Sequence, residues 1–160
     1  MATTPRGLRA VKTAMLVTDV GFLLYWSVAL LNLIPPEHAY KDYRDPVMSD
    51  WNYSFLPLDV AASVTGLASL YLAGSARRRH DLHLPLMLLS LALTSAAGLQ
   101  AVSFWALRDD WSLAWWIPNF LLFAFPVPAI VYVLRGPSAQ RAPTHSSASR
   151  EDSTATTARP

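Results

Sequence analysis

Apolar residues in this chain neither alternate nor keep to one helical face. They run in four long blocks separated by short polar segments, at about 13–34, 56–76, 84–107 and 111–134. A helix rises 1.5 Å per residue, so about 20 apolar residues cross roughly 30 Å of hydrocarbon. Each block is long enough. Helices of a soluble bundle would show a polar face at a 3.6-residue period, and the third block, LPLMLLSLALTSAAGLQAVSFWAL, shows none. The pattern predicts an all-α protein, an integral membrane four-helix transmembrane bundle, with a transmembrane domain at 1–135, an external loop at 35–55 and a disordered C-terminal tail at 136–160.

Composition supports this reading: 52% of the residues are hydrophobic and 15% are charged, against about 25% charged in soluble domains. The sequence has no cysteine, which excludes disulfides, thiolate metal sites and cysteine nucleophiles. No basic run interleaved with aromatics points to nucleic acid.

Lysine and arginine in short loops are retained on the cytoplasmic side. With the N-terminus inside, Arg6, Arg9, Lys12, Arg77, Arg78, Arg79, Arg135, Arg141, Arg150 and Arg159 are cytoplasmic, and only Lys41, Arg44 and Arg108 lie outside. Trp111, Trp115 and Trp116 then sit at the outer headgroup level, where an indole is favoured. The expected location is the plasma (inner) membrane, multi-pass, with both termini cytoplasmic. The basic start resembles a signal peptide, but the apolar run is about 20 residues long and PPEH follows it without a small-x-small cleavage site. The first helix is expected to be retained. The segment after Arg135 is rich in Ser, Thr, Ala and Pro and has little to bury.

Two carboxylates fall inside or at the edge of the blocks. Asp19 lies about two turns into the first helix, too deep to cap it, and an aspartate near the bilayer centre costs roughly 2.5–3.5 kcal/mol. It is expected either to bind a proton or cation inside the bundle or to pair with Arg77, Arg78 or Arg79. Asp59 follows Pro57 at the start of the second helix, where a carboxylate in the first turn is ordinary. The two aspartates are expected in opposite leaflets. Ala62 and Gly66, and Ser90, Thr94 and Gly98, are small residues four apart that let helices approach closely. Gln100 and Asn119 are expected to hydrogen-bond between helices, and Pro118, Pro126 and Pro128 to kink the fourth.

The external loop, PPEHAYKDYRDPVMSDWNYSF, is too long for a tight turn and rich in aromatics, which predicts that it folds back onto the bundle as an ordered lid. Glu37, His38, Asp42 and Asp45 fit no compact metal motif, and His80 and His83 read as solvated loop residues. No phosphate loop, nucleophile elbow, HExxH or haem motif is present. No metal or cofactor is expected.

The stretches TDVGFLLYW and YKDYRDPVMSDWNYSFLPLDVAASVTGL resemble the YvaD-like family of small bacterial membrane proteins, which are four-helix proteins of uncharacterised function. The resemblance covers somewhat under half of the chain. It singles out Asp19, Trp26, Tyr40, Asp45, Trp51, Asn52 and Asp59 as the positions in its motifs, to build a site or to fix the loop. The leading expectation is a non-catalytic membrane protein whose aromatic loop recognises a small-molecule or lipid ligand or a partner protein. The lipid bilayer is its one certain surroundings, and a homo-oligomer is compatible with the small faces. The alternative is a small proton-coupled transporter using Asp19, and behind it an intramembrane lipid isomerase, which would need two carboxylates in one cavity.

Overall fold

The computed structural model describes residues 6–74 and 80–135, so the tail at 136–160 and the Arg77–Arg79 cluster lie outside the described residues. Among the described residues the fold is entirely helical. It comprises α1 (Arg6–Leu30), α2 (Pro36–Ala39), α3 (Pro46–Ser54), α4 (Leu56–Gly74), α5 (His80–Leu107), α6 (Leu113–Ala124) and α7 (Pro126–Leu134). Four helical stretches, Arg6–Leu30, Pro46–Gly74, Leu82–Leu107 and Leu113–Leu134, are long and apolar enough to cross a membrane.

The distribution of side chains is the reverse of that in a soluble bundle. Val17, Leu24, Val64, Leu113 and Leu121 are exposed, whereas Asp19, Asp59, Ser63, Ser69, Ser90 and Thr94 are buried. Apolar groups outside and polar groups inside are what hydrocarbon surroundings favour. The protein is an integral membrane four-helix bundle.

α5 is central, packing against α4, α6 and α7, while α1 packs on α4 and touches α7. Small residues set the close approaches. A Cβ on Gly66 would stand 2.7 Å from the Ser90 Oγ and would overlap the Asp19 carboxylate, whereas one on Gly98 would stand 2.6 Å from the Asn119 carbonyl oxygen and 2.8 Å from the Leu122 carbonyl carbon. Gly98 therefore fits α6 against α5, not α4 against α5. Hydroxyls join the helices through backbone carbonyls: Ser63 Oγ donates to Asp19 O at 3.1 Å, Ser69 Oγ to His83 O at 2.7 Å and Ser95 Oγ to Phe123 O at 3.0 Å. Such bonds contribute on average about 0.6 kcal/mol each in lipid.

The ends of the helices have local causes. α1 stops at Leu30 rather than at residue 34 because Asn32 adopts φ 51°. The Leu33 amide then bonds Val28 O and the Asn32 amide bonds Ala29 O, a Schellman closure with Asn in the usual glycine place. Asp109, at φ 54°, closes α5 in the same way through Asp109 N to Ala106 O and Asp110 N to Trp105 O. The fourth span breaks between α6 and α7 at Pro126, which has no N–H to give. The Ser95 hydroxyl donates to the nearby Phe123 carbonyl and holds this part of the span to α5.

The segment at 35–55 is ordered, and much of it is helical. Asp45 accepts from the Val47 amide at 2.9 Å, and Pro46 occupies the first turn of α3, a cap followed by a helix-starting proline. Phe55 keeps right-handed helical angles, so α3 runs into α4 with one irregular residue between them. The second span thus starts about ten residues before the predicted 56, and Asp59 is no longer near a free helix end.

Candidate functional site

Side chains of α1, α3, α4, α5 and α6 enclose a cavity of about 320 Å³. That is at the lower end of small-ligand pockets. Its walls are mainly aromatic and small apolar side chains. Trp26 and Tyr25 come from α1, Trp51 from α3, Trp105 with Ala97 and Ala101 from α5, and Trp115 from α6. The small residues on α5 leave the volume that the large rings enclose.

The rings brace one another. Trp51 stacks on Phe104 at a centroid distance of 4.1 Å, Trp26 meets Tyr25 edge-on at 5.0 Å, and Tyr40 meets Tyr53 at 6.1 Å. Lys41 also lines the cavity, with its ammonium 5.3 Å from the Trp105 ring centroid and ion-paired to Asp110 in the turn between α5 and α6. The hydrogen bond from Lys41 holds the Asp110 carboxyl below its ordinary value of 3.8. The pair ties the chain after α2 to the far side of the bundle.

Polar atoms in this wall are few and fixed. Trp26 Nε1 donates to Asp59 Oδ2 at 2.9 Å, and Tyr25 Oη donates to Asn52 Oδ1 at 3.2 Å. The other atom of each group, Asp59 Oδ1 and Asn52 Nδ2, is buried without a hydrogen-bond partner among the described residues. Pro118 adds a further acceptor, since it supplies no N–H to the Ala114 carbonyl, and both residues line the cavity.

Of the positions expected to matter, Trp26, Tyr40, Trp51, Asn52, Asp59 and Asn119 come together on this one cavity. Asn119 bonds within its own helix, Nδ2 to Trp115 O at 2.7 Å, rather than between helices. Asp45 is exposed and caps α3, and Gln100 is exposed on the outer side of α5, so neither makes the contact expected of it. Asp19 is elsewhere, 1% exposed at the junction of α1, α4 and α5, with Oδ2 unpartnered among the described residues. Tyr25, Lys41, Trp105 and Trp115 are cavity residues that the sequence did not mark. An N-terminal aromatic pair on one helix and a lysine amid loop tyrosines were the only available signals. Among the described residues no group of three or more His, Cys, Asp or Glu side chains is placed to hold a metal.

Residues 11–140 match the family model described as a family of unknown function, DUF5360. The chain is 45% identical over 128 residues to "Uncharacterized protein YvaD" of Bacillus subtilis (strain 168), covering 80% of this chain and 94% of that protein. No solved structure matches. A family match across most of the chain, with a relative this similar over nearly its whole length, places the protein in DUF5360, the family to which the YvaD-like motifs pointed.

Proposed function

We propose that the protein is a non-catalytic, multi-pass plasma-membrane receptor for a small amphiphile, with both termini cytoplasmic and the cavity beneath α3 as the binding site. The observation that carries this reading is a donor and an acceptor, Asn52 Nδ2 and Asp59 Oδ1, both buried and unpartnered among the described residues, in the wall of an otherwise aromatic cavity. Unsatisfied buried polar atoms each cost about 1–3 kcal/mol, which a bound polar group recovers. Native mass spectrometry of the protein in nanodiscs, screened against small amphiphiles, tests it. Bound mass is expected on the wild type and not on Ala101→Trp, which fills the cavity; adducts equal on both would refute the reading.

A second reading, proton-coupled export through Asp19, has one observation in its favour: this carboxylate is fully buried with an unpartnered oxygen. Asp19→Asn would abolish proton-driven efflux from vesicles under that reading and leave amphiphile binding intact under the first. Only one of the two carboxylates, Asp59, lines the cavity, so a two-carboxylate isomerase gains no support.

A further inference from the structure

The charges around the cavity identify the class of ligand, given that the cavity is a binding site as proposed above. Besides Tyr25 and Tyr40, the ionisable residues lining it are Lys41 and Asp59. Lys41 is already matched by Asp110. Asp59 is 6% exposed and has no basic partner among the described residues, and its one bond is from a neutral donor, the Trp26 indole. The cavity therefore holds one carboxyl group with no cation beside it in the wall, which is held ionised there only by an occupant that brings a positive charge.

We infer that the ligand is a small organic ammonium ion with an apolar body and a hydroxyl or carbonyl oxygen. Its N–H group donates to Asp59 Oδ1, its oxygen accepts from Asn52 Nδ2, and its body lies among the indoles. Three features support this assignment beyond the charge. Trp26, Trp51, Trp105 and Trp115 present the ring type that best attracts a cation. One ammonium already sits against this wall, since Lys41 Nζ is 5.3 Å from the Trp105 centroid. Asn52 is seven residues before Asp59 on the nearly continuous α3–α4 helix, so the two Cα atoms are about 10 Å apart on one face and both side chains are within reach of the polar end of one small molecule. An anion would face Asp59 with no free cation among the described lining residues. A neutral lipid would face the group only as the protonated acid and would make no use of the indole faces as cation sites.

The test compares 2-amino-1-phenylethanol with 1-phenylethane-1,2-diol, which differ only in an ammonium against a hydroxyl. Binding to the full chain in phosphatidylcholine nanodiscs is measured by saturation-transfer NMR against empty discs. The amine is expected to bind at least tenfold more tightly, and Asp59→Asn is expected to erase the preference. If that variant does not fold, the wild-type preference and the competition of alkylammonium ions with the amine, read by the same saturation-transfer signal, decide alone. Equal or tighter binding of the diol would overturn the ammonium assignment while leaving the cavity a binding site. Binding of neither would overturn it too, and the Ala101→Trp experiment then shows separately whether the binding reading also falls.

Discussion

Replacing Trp26 with Phe isolates the bond that fixes the buried carboxylate. Phe keeps a ring towards Tyr25, 5.0 Å away, and Tyr53, 5.9 Å away, and removes the N–H given to Asp59 Oδ2 at 2.9 Å together with part of the indole's buried volume, a packing loss that is the same in a background without the carboxylate. A hydrogen bond to a charged group contributes about 1.5–3 kcal/mol in water-soluble proteins. Between membrane helices the mean is nearer 0.6 and the maximum about 1.7, because the unfolded chain in the membrane also finds partners. The upper end applies here: Asp59 Oδ1 already has no partner among the described residues, so loss of the indole strands both oxygens. We expect Trp26→Phe to destabilise the bundle by about 1.5 kcal/mol, and by no more than about 0.5 in an Asp59→Val background. The coupling, about 1 kcal/mol, is read from a double-mutant cycle of sodium dodecyl sulfate titrations in mixed micelles. Far-UV circular dichroism is the probe, because six tryptophans make emission ambiguous. A coupling within about 0.3 kcal/mol of zero would refute the claim that this bond holds Asp59 in place.

Gly98→Ala is expected to destabilise by about 1–3 kcal/mol in the same titration, and Gly66→Ala by less, because the new methyl meets α6 backbone at 98 but only the ends of the Asp19 and Ser90 side chains at 66. Equal costs would refute this placement. Asn32→Val forces a β-branched residue into left-handed backbone at φ 51° and is expected to cost about 1–2 kcal/mol, whereas Asn32→Gly is expected to be neutral or stabilising. The Lys41–Asp110 pair has a defined pH window: the folded carboxyl titrates below its ordinary 3.8. The pair's contribution is therefore complete above the unfolded value and is lost as pH falls through the folded one. Spin labels on α3 and α6 are expected to hold a fixed separation at pH 6 and to broaden below about pH 4, and Lys41→Met to be broad throughout; an acid-independent distance would count against the tie.

The number of spans, their class and the polar interior were legible because hydrocarbon length and side-chain transfer dominate them, and both are properties of sequence blocks. The aromatic segment was legible as ordered for the same reason: Trp51, Tyr53 and Phe55 have no place in water. What the blocks conceal is where backbone geometry decides. Residues 31–34 are as apolar as the helix before them, and α1 still stops because Asn32 takes a left-handed turn. The Asp45–Pro46 cap was present in the sequence, but it was masked by the stronger expectation that a polar segment between spans is a loop. Gln100 shows the limit of reasoning by residue type, since its polarity suggested an interhelical bond and helical phase puts it on the outer face. The cavity needed three dimensions altogether: Lys41 and Trp105 are 64 positions apart and meet only because α2 is tied across to the turn after α5.

The two buried carboxylates belong to a single line of contacts. Asp59, Ser63 and Gly66 occupy one face of α4, buried in succession. Trp26 and Asp19, on α1, meet that face two turns apart, one at the carboxylate of Asp59 and the other at Ser63 and Gly66. A ligand that changes the position of Asp59 therefore acts on α4 at its junction with α3, and α4 is the element against which the Asp19 carboxylate is confined. Because Gly66 leaves no slack beside that carboxylate, a shift of α4 along α1 must be felt by Asp19. α3, the cavity wall and the inner carboxylate thus lie along one run of contacts. If the cavity proves to bind a cation and Asp19 proves to carry a proton, the coupling between them would run along the α1–α4 seam, and Ser63, whose hydroxyl holds the Asp19 carbonyl at 3.1 Å, is the residue at its midpoint. Ser63→Ala is then expected to leave cavity binding unchanged while loosening its dependence on Asp19, measured as the difference in amine affinity between the Ser63→Ala and Ser63→Ala/Asp19→Asn proteins. A dependence as strong as in the presence of Ser63 would show that the coupling does not run through this hydroxyl, and no dependence in either background would show that the two carboxylates act independently.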